Sequence, residues 1–147
     1  MPPEQLPIFS VARVIQLSVA PVFLLTALGT MLGVFSTRLG RIVDRARVLT
    51  DRLPALGAEQ REAVQAEFEL LLRRRSIVNV AIACATAAAL LVCILIASAF
   101  LSAVFRWDFT HPVAALFVAA MGAFIAALLA FLAEVTLAVR SVRFGDR

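Results

Sequence analysis

Glu134 is the residue best placed to do chemistry in this chain. It follows a charge-free run from Phe109 to Ala133 and precedes apolar Val135, Leu137, Ala138 and Val139. A carboxylate at such a depth is a functional feature by default, because an ionised group in hydrocarbon needs a partner. Its place near one membrane edge would let Arg38 or Arg41 pair with it. Structural ion pairing is therefore favoured over a proton or cation role. Asn79, at the matching end of another apolar run, could hydrogen-bond at the same level.

The second chemical cluster is basic. Arg38, Arg41, Asp44, Arg45 and Arg47 follow the first apolar run, and Arg73, Arg74 and Arg75 precede the second. On a helix, residues 38, 41 and 45 form one ridge, with Asp44 and Arg47 on another. Such a surface could bind lipid phosphate, grip a partner helix or join subunits. Other arrangements are weaker. His111 beside Asp108 is a poor metal set, and Thr110-His111-Pro112 reads more simply as a helix start with Pro in its first turn. Cys84 and Cys93 are nine residues apart, about 900° of helical rotation, which puts them on opposite faces and rules out a bridge within one helix. No metal-ligand spacing, Ser/His/Asp set, Gly-rich phosphate loop, HExxH or CxxC occurs. The expectation is a protein that is not an enzyme, with no cofactor and no metal.

Three apolar helices must position these groups. Val14–Thr37, Ser76–Phe105 and Phe109–Ala133 contain no Asp, Glu, Lys or Arg. At about 1.5 Å per residue, each can cross a hydrocarbon core of roughly 30 Å. With 62% hydrophobic residues, the chain falls outside the disordered and ordinary globular classes. The predicted fold is all-α, a single membrane domain over residues 1–147. Transmembrane helices cover about 12–37, 76–105 and 112–139, and a cytoplasmic antiparallel helical hairpin over 38–75 is continuous with the first two. The first run is too long for a signal-peptide core and no small-residue cleavage site follows it, so it is expected to stay in the mature protein.

Charge sets the expected orientation. All 14 basic residues are Arg, a composition bias that suggests a high-GC bacterial source. Nine lie between Arg38 and Arg75 and three between Arg140 and Arg147, against only Arg13 and Arg106 on the other side. Positive residues near membrane ends stay cytoplasmic, so the N-terminus is expected outside and the C-terminus inside, in the inner membrane. The expected partners are anionic lipid headgroups at the cytoplasmic face, not nucleic acid. Trp107, between Phe105 and Phe109, suits an aromatic anchor at the outer face.

In the hairpin, Leu39, Ile42, Ala46, Leu49 and Leu53 repeat at spacings of three and four, and Val64, Phe68, Leu71 and Leu72 form a matching stripe. The break at Pro54–Gly57 predicts Leu39 opposite Leu71, Ile42 opposite Phe68, and Arg41 near Glu69. Glu59 and Glu62 would lie near the tip. Within the membrane, Gly29 and Gly33 form a GxxxG, Ala81, Ala85 and Ala89 repeat every four residues, and Gly122, Ala126 and Ala130 do likewise. These small-residue tracks predict close helix packing, with Glu134 continuing the third. Pro21 should kink the first helix by removing the hydrogen bond to the Leu17 carbonyl.

The string Ser18-Val19-Ala20-Pro21-Val22-Phe23-Leu24-Leu25, followed by Arg38-Leu39-Gly40-Arg41-Ile42-Val43-Asp44-Arg45-Ala46-Arg47, resembles domain-of-unknown-function family 2721 of small bacterial membrane proteins. That family has an apolar segment with a Pro, an RLxRIxDRxR stretch and a basic triplet like Arg73–Arg75. The likeness covers roughly Val11 to Leu91, and the third span only in hydrophobic character. It implies a three-pass bacterial membrane protein and no assigned activity. The expected role is a non-enzymatic homo-oligomeric scaffold or regulatory subunit, its protein partner unidentified. The alternative is a small channel or transporter with Glu134, Asn79 or the Pro21 kink lining a path.

Overall fold

The computed structural model describes residues 7–55, 57–105 and 110–144. Trp107, Arg106, Asp108 and Arg147 lie outside the described residues, as do the side chains of Arg13, Glu59, Arg140 and Arg143. Among the described residues the chain forms three α-helices, α1 (Pro7–Arg52), α2 (Ala58–Phe105) and α3 (Thr110–Phe144), with one 3-10 turn at Leu53–Ala55. The segments Ser18–Arg52, Gln60–Ser102 and His111–Val139 are each long and apolar enough to cross a membrane. The all-α class and the three membrane-capable helices agree with the apolar runs.

α1 has 46 residues and α2 has 48. At about 1.5 Å per residue each extends roughly 70 Å, more than twice a hydrocarbon core. α1 passes through Pro21 as one uninterrupted helix. It ends where Pro54 enters the 3-10 turn, and α2 opens with the Arg61 amide donating to the Gly57 carbonyl at 3.0 Å. α3 begins at Thr110, so Pro112 stands in the first turn, where its missing amide costs nothing.

Burial in each helix recurs every seven residues. On α1 the buried residues are Leu28, Phe35, Ile42 and Leu49; on α3 they are Ala120, Ala127 and Glu134. On α2 the first step is seven, Leu71 to Val78, and the steps then alternate by three and four through Ala81, Ala85, Ala88, Val92 and Leu95. Seven residues turn a helix about 20° short of two full turns, so such a stripe stays on one face only with slight left-handed supercoiling.

Contacts cluster into two compact units, residues 1–31 with 85–125, and residues 32–84 with 126–147. In the first, Leu28, Ala85, Ala88, Val92, Leu95 and Ala120 are buried, while Phe23, Val104 and Val118 are about 70% exposed. Large apolar side chains facing outward are what lipid, acting as solvent, permits. In the second, Phe35, Ile42, Leu49, Leu71, Val78, Ala81 and Ala127 are buried.

Three details differ from expectation. The buried α2 stripe takes Ala88, not Ala89. Gly122 and Ala126 are exposed and Ala130 half-buried. A stride of four overshoots a turn by about 40°, so from Gly122 to Glu134 the direction swings by about 120° and the track does not share a face. Gly29 and Gly33 are also exposed, and a Cβ built on Gly29, Gly33 or Gly122 meets nothing within 4 Å. These glycines do not mediate close helix contact within the chain.

Hydroxyls on the apolar helices are satisfied locally. Thr26 donates to the Val22 carbonyl at 3.3 Å, Thr30 to Thr26 at 3.1 Å and Thr37 to Gly33 at 2.9 Å. Thr136 and Ser98 bond three residues back, to Ala133 and Leu95, each at 2.8 Å. Such back-bonding makes a hydroxyl tolerable where no water is present.

Candidate functional site

The second unit has one buried charge among its described residues, and all three helices contribute to it. Glu134 occupies the seven-residue core position of α3 and is completely buried. An isolated carboxylate there would cost several kcal/mol, so it must be paired and hydrogen-bonded. Arg74 of α2 supplies two donors to Oε1, Nη2 at 2.8 Å and Nε at 3.3 Å. Arg38 of α1 donates Nη1 to Oε2 at 3.0 Å. Both carboxylate oxygens are engaged, and among the described residues no buried side-chain nitrogen or oxygen lacks a partner.

Aromatic residues one turn away fix this arrangement. Phe35 precedes Arg38 by three residues and Phe131 precedes Glu134 by three, so each lies on the same helix face as the charge it supports. Their ring centroids are 4.9 Å apart at a 40° tilt, and the Arg38 guanidinium lies 5.0 Å above the Phe131 ring. A cation over an aromatic face adds about 0.5–1 kcal/mol at a partly exposed site. Phe35 is fully buried, so the charged layer is closed on one side by an apolar floor.

On the other side lies a cleft of about 280 Å³ lined by Arg38, Arg41, Ile42, Arg45, Leu71, Arg74 and Glu134. The ridge formed by residues 38, 41 and 45 thus lines a single cavity. Arg45 donates Nε to Glu67 Oε1 at 2.8 Å. Among the described residues no Arg41–Glu69 ion pair forms, while Ile42 borders this cleft with Leu71 and a second cleft with Phe68, its expected neighbour. Arg41 is exposed and makes no ion pair among the described residues.

The remaining candidates stand apart. Asp44, Arg47, Arg73 and Arg75 are exposed and form no ion pair among the described residues. Arg47 and Arg75 border a second cleft of about 310 Å³ with Asp51, Thr50, Phe68 and Leu72. Asn79 is exposed, one residue round from buried Val78, and does not join the Glu134 layer. Pro21 is half-buried and His111 exposed. Cys84 and Cys93 are free thiols. Among the described residues no group of three His, Cys, Asp or Glu could hold a metal ion.

From the sequence Arg74 is only one of a basic triplet, and Glu67, Phe35 and Phe131 carry no distinguishing signal. In the structure Arg74 stands three residues after buried Leu71 and seven before buried Ala81, which turns it toward the core. Neighbours Arg73 and Arg75 point about 100° to either side.

Comparison with curated proteins and with solved structures returns no match. The comparison with protein families does: residues 18–144, most of the chain, match the family described as protein of unknown function, DUF2721. With the RLGRIVDRAR string on α1, the basic triplet on α2 and three membrane-capable helices now in view, the chain belongs to the DUF2721 family of proteins of unknown function.

Proposed function

We propose that this protein is a non-enzymatic, homo-oligomeric scaffold or regulatory subunit of the bacterial inner membrane. Its N-terminus lies outside and its C-terminus in the cytoplasm. The end of α1 and the start of α2 form a cytoplasmic antiparallel hairpin. The observation that carries the reading is the state of Glu134: its two oxygens are consumed by Arg74 and Arg38, so the buried charge holds three helices together instead of waiting for a substrate or an ion. The Arg excess between residues 38 and 75 supports the orientation. The open surface at Gly29, Gly33 and Gly122 supports self-association, because small residues let another backbone approach closely.

Two experiments test this. A Thr50→Cys variant in intact spheroplasts should resist a membrane-impermeant maleimide and react after lysis; labelling before lysis reverses the topology. Purified protein in liposomes should pass no ions. Flux that disappears with Glu134→Gln would replace the scaffold by a pore.

A further inference from the structure

The cleft beside Glu134 holds more positive charge than the fold uses. Arg38, Arg41, Arg45 and Arg74 line it. Against these four cations stand two carboxylates, Glu134 and the Glu67 bound to Arg45, a surplus of two positive charges (4 − 2). Hydrogen-bond donors are left over as well. Arg38 uses one Nη on Glu134, Arg45 uses Nε on Glu67, and Arg74 uses Nε and one Nη. Arg41 uses none among the described residues. A guanidinium carries five N–H donors in a planar fork that matches the oxygens of phosphate.

The depth of the cleft is equally specific. Arg38 is the first residue after the charge-free run that ends at Thr37. Arg74 stands two residues before the run that opens at Ser76, and Glu134 directly follows the run that closes at Ala133. All three helices therefore bring the cleft to within a turn of the hydrocarbon edge, the level of lipid phosphates. Ile42 and Leu71 supply apolar wall beside the guanidinium groups.

We infer that this cleft is a phosphate-binding site whose occupant is the headgroup of an anionic phospholipid carrying two negative charges. A phosphomonoester or a pair of phosphodiesters matches the surplus charge; a single phosphodiester leaves half of it unmet. Arg41 is the principal free donor, with the unused Nη groups of Arg38 and Arg45 beside it. The assignment deepens the membrane reading above and rests on that placement of the helix ends.

The test is native mass spectrometry of the full-length protein in detergent with phosphatidylcholine, phosphatidylglycerol, phosphatidic acid or cardiolipin. The doubly charged lipids should be retained over phosphatidylglycerol, and phosphatidylcholine should be lost. Arg41→Gln should weaken that retention about tenfold, the loss of charge-assisted hydrogen bonds, and leave melting unchanged. Arg73→Gln makes the same charge change outside the cleft and should alter retention by less than about twofold. Equal loss from both variants, or no preference for two charges, overturns the site. Displacement of bound lipid by inorganic phosphate alone identifies a soluble phosphate compound as the occupant and overturns the lipid assignment. Binding in detergent does not depend on orientation, so a reversed topology and a failed lipid site are separate results.

Discussion

Replacing Glu134 by Gln is the sharpest test of what holds the second unit together. The substitution keeps the shape and one acceptor oxygen but removes the charge, leaving two guanidinium groups facing a neutral amide. Removing one partner of a buried pair costs about 3–5 kcal/mol. Here the two arginines count differently. Arg74, whose side chain is 20% exposed, makes two of the three hydrogen bonds and has little room to rehydrate. Arg38, at 38% exposure, can turn its guanidinium to water, so its share falls to the 0–1 kcal/mol of a surface pair, about 0.5. Arg74's share, about 2.5 kcal/mol for hydrogen bonds to a charge with little rehydration, brings the sum to about 3 kcal/mol, the low end of the buried range. For a chain of this size, each kcal/mol moves Tm by about 2–4 °C, so unfolding followed by circular dichroism in one fixed detergent should fall by about 6–12 °C. A double-mutant cycle with Arg74→Gln should recover most of that loss, because the second change removes the charge that the first left unpaired. A Glu134→Gln protein melting within about 1 °C of wild type would refute the argument that this carboxylate organises the three helices.

Other substitutions should separate core from surface. Phe35→Ala removes a fully buried ring and its contact with Phe131; a loss of about 3–5 kcal/mol is expected in the same melting assay. Ala127→Leu forces a larger side chain into a fully buried position and should cost about 1–3 kcal/mol, with Leu129→Ala, on the exposed side, as a mild control. Arg45→Gln breaks a pair whose members are 52% and 39% exposed, so its effect should stay below about 1 kcal/mol and shrink further with added salt. Gly33→Ala meets open space and should leave the protomer as stable or raise its stability by up to about 1 kcal/mol. If it also lowers the native mass of the assembly, that glycine face is where copies meet.

The long charge-free runs made the helices legible, because hydrocarbon thickness imposes a length that few other constraints imitate. α1 and α2 continuing beyond those runs was legible too, from the apolar spacing of Ile42 and Leu49 and of Phe68 and Leu71. The internal seam was harder. In membrane helices almost every position is apolar, so burial periodicity is not written in polarity, and small residues at four-residue spacing drew attention to Gly122 and Ala126 while the buried positions were Ala120 and Ala127. The charged layer was half visible. A carboxylate at the end of an apolar run calls for an arginine at the same depth, which points to Arg38. It does not choose among Arg73, Arg74 and Arg75, because that choice depends on a helical phase of about 100° per residue that the surrounding apolar residues do not report. The Arg45–Glu67 pair was not singled out either, because long side chains on exposed helix faces can reach several partners and composition does not choose among them.

A carboxylate clasped from two sides also limits how this bundle can move. Sliding α3 along its axis by even one turn, about 5.4 Å, would pull Glu134 out of reach of both guanidinium groups and strand three charges at the edge of oil. Piston-like strokes are thereby opposed in the second unit by roughly the 3 kcal/mol that the pairing supplies. Splaying or twisting of the helices about that point keeps the pairing intact, so the contact acts as a rivet and not as a rail.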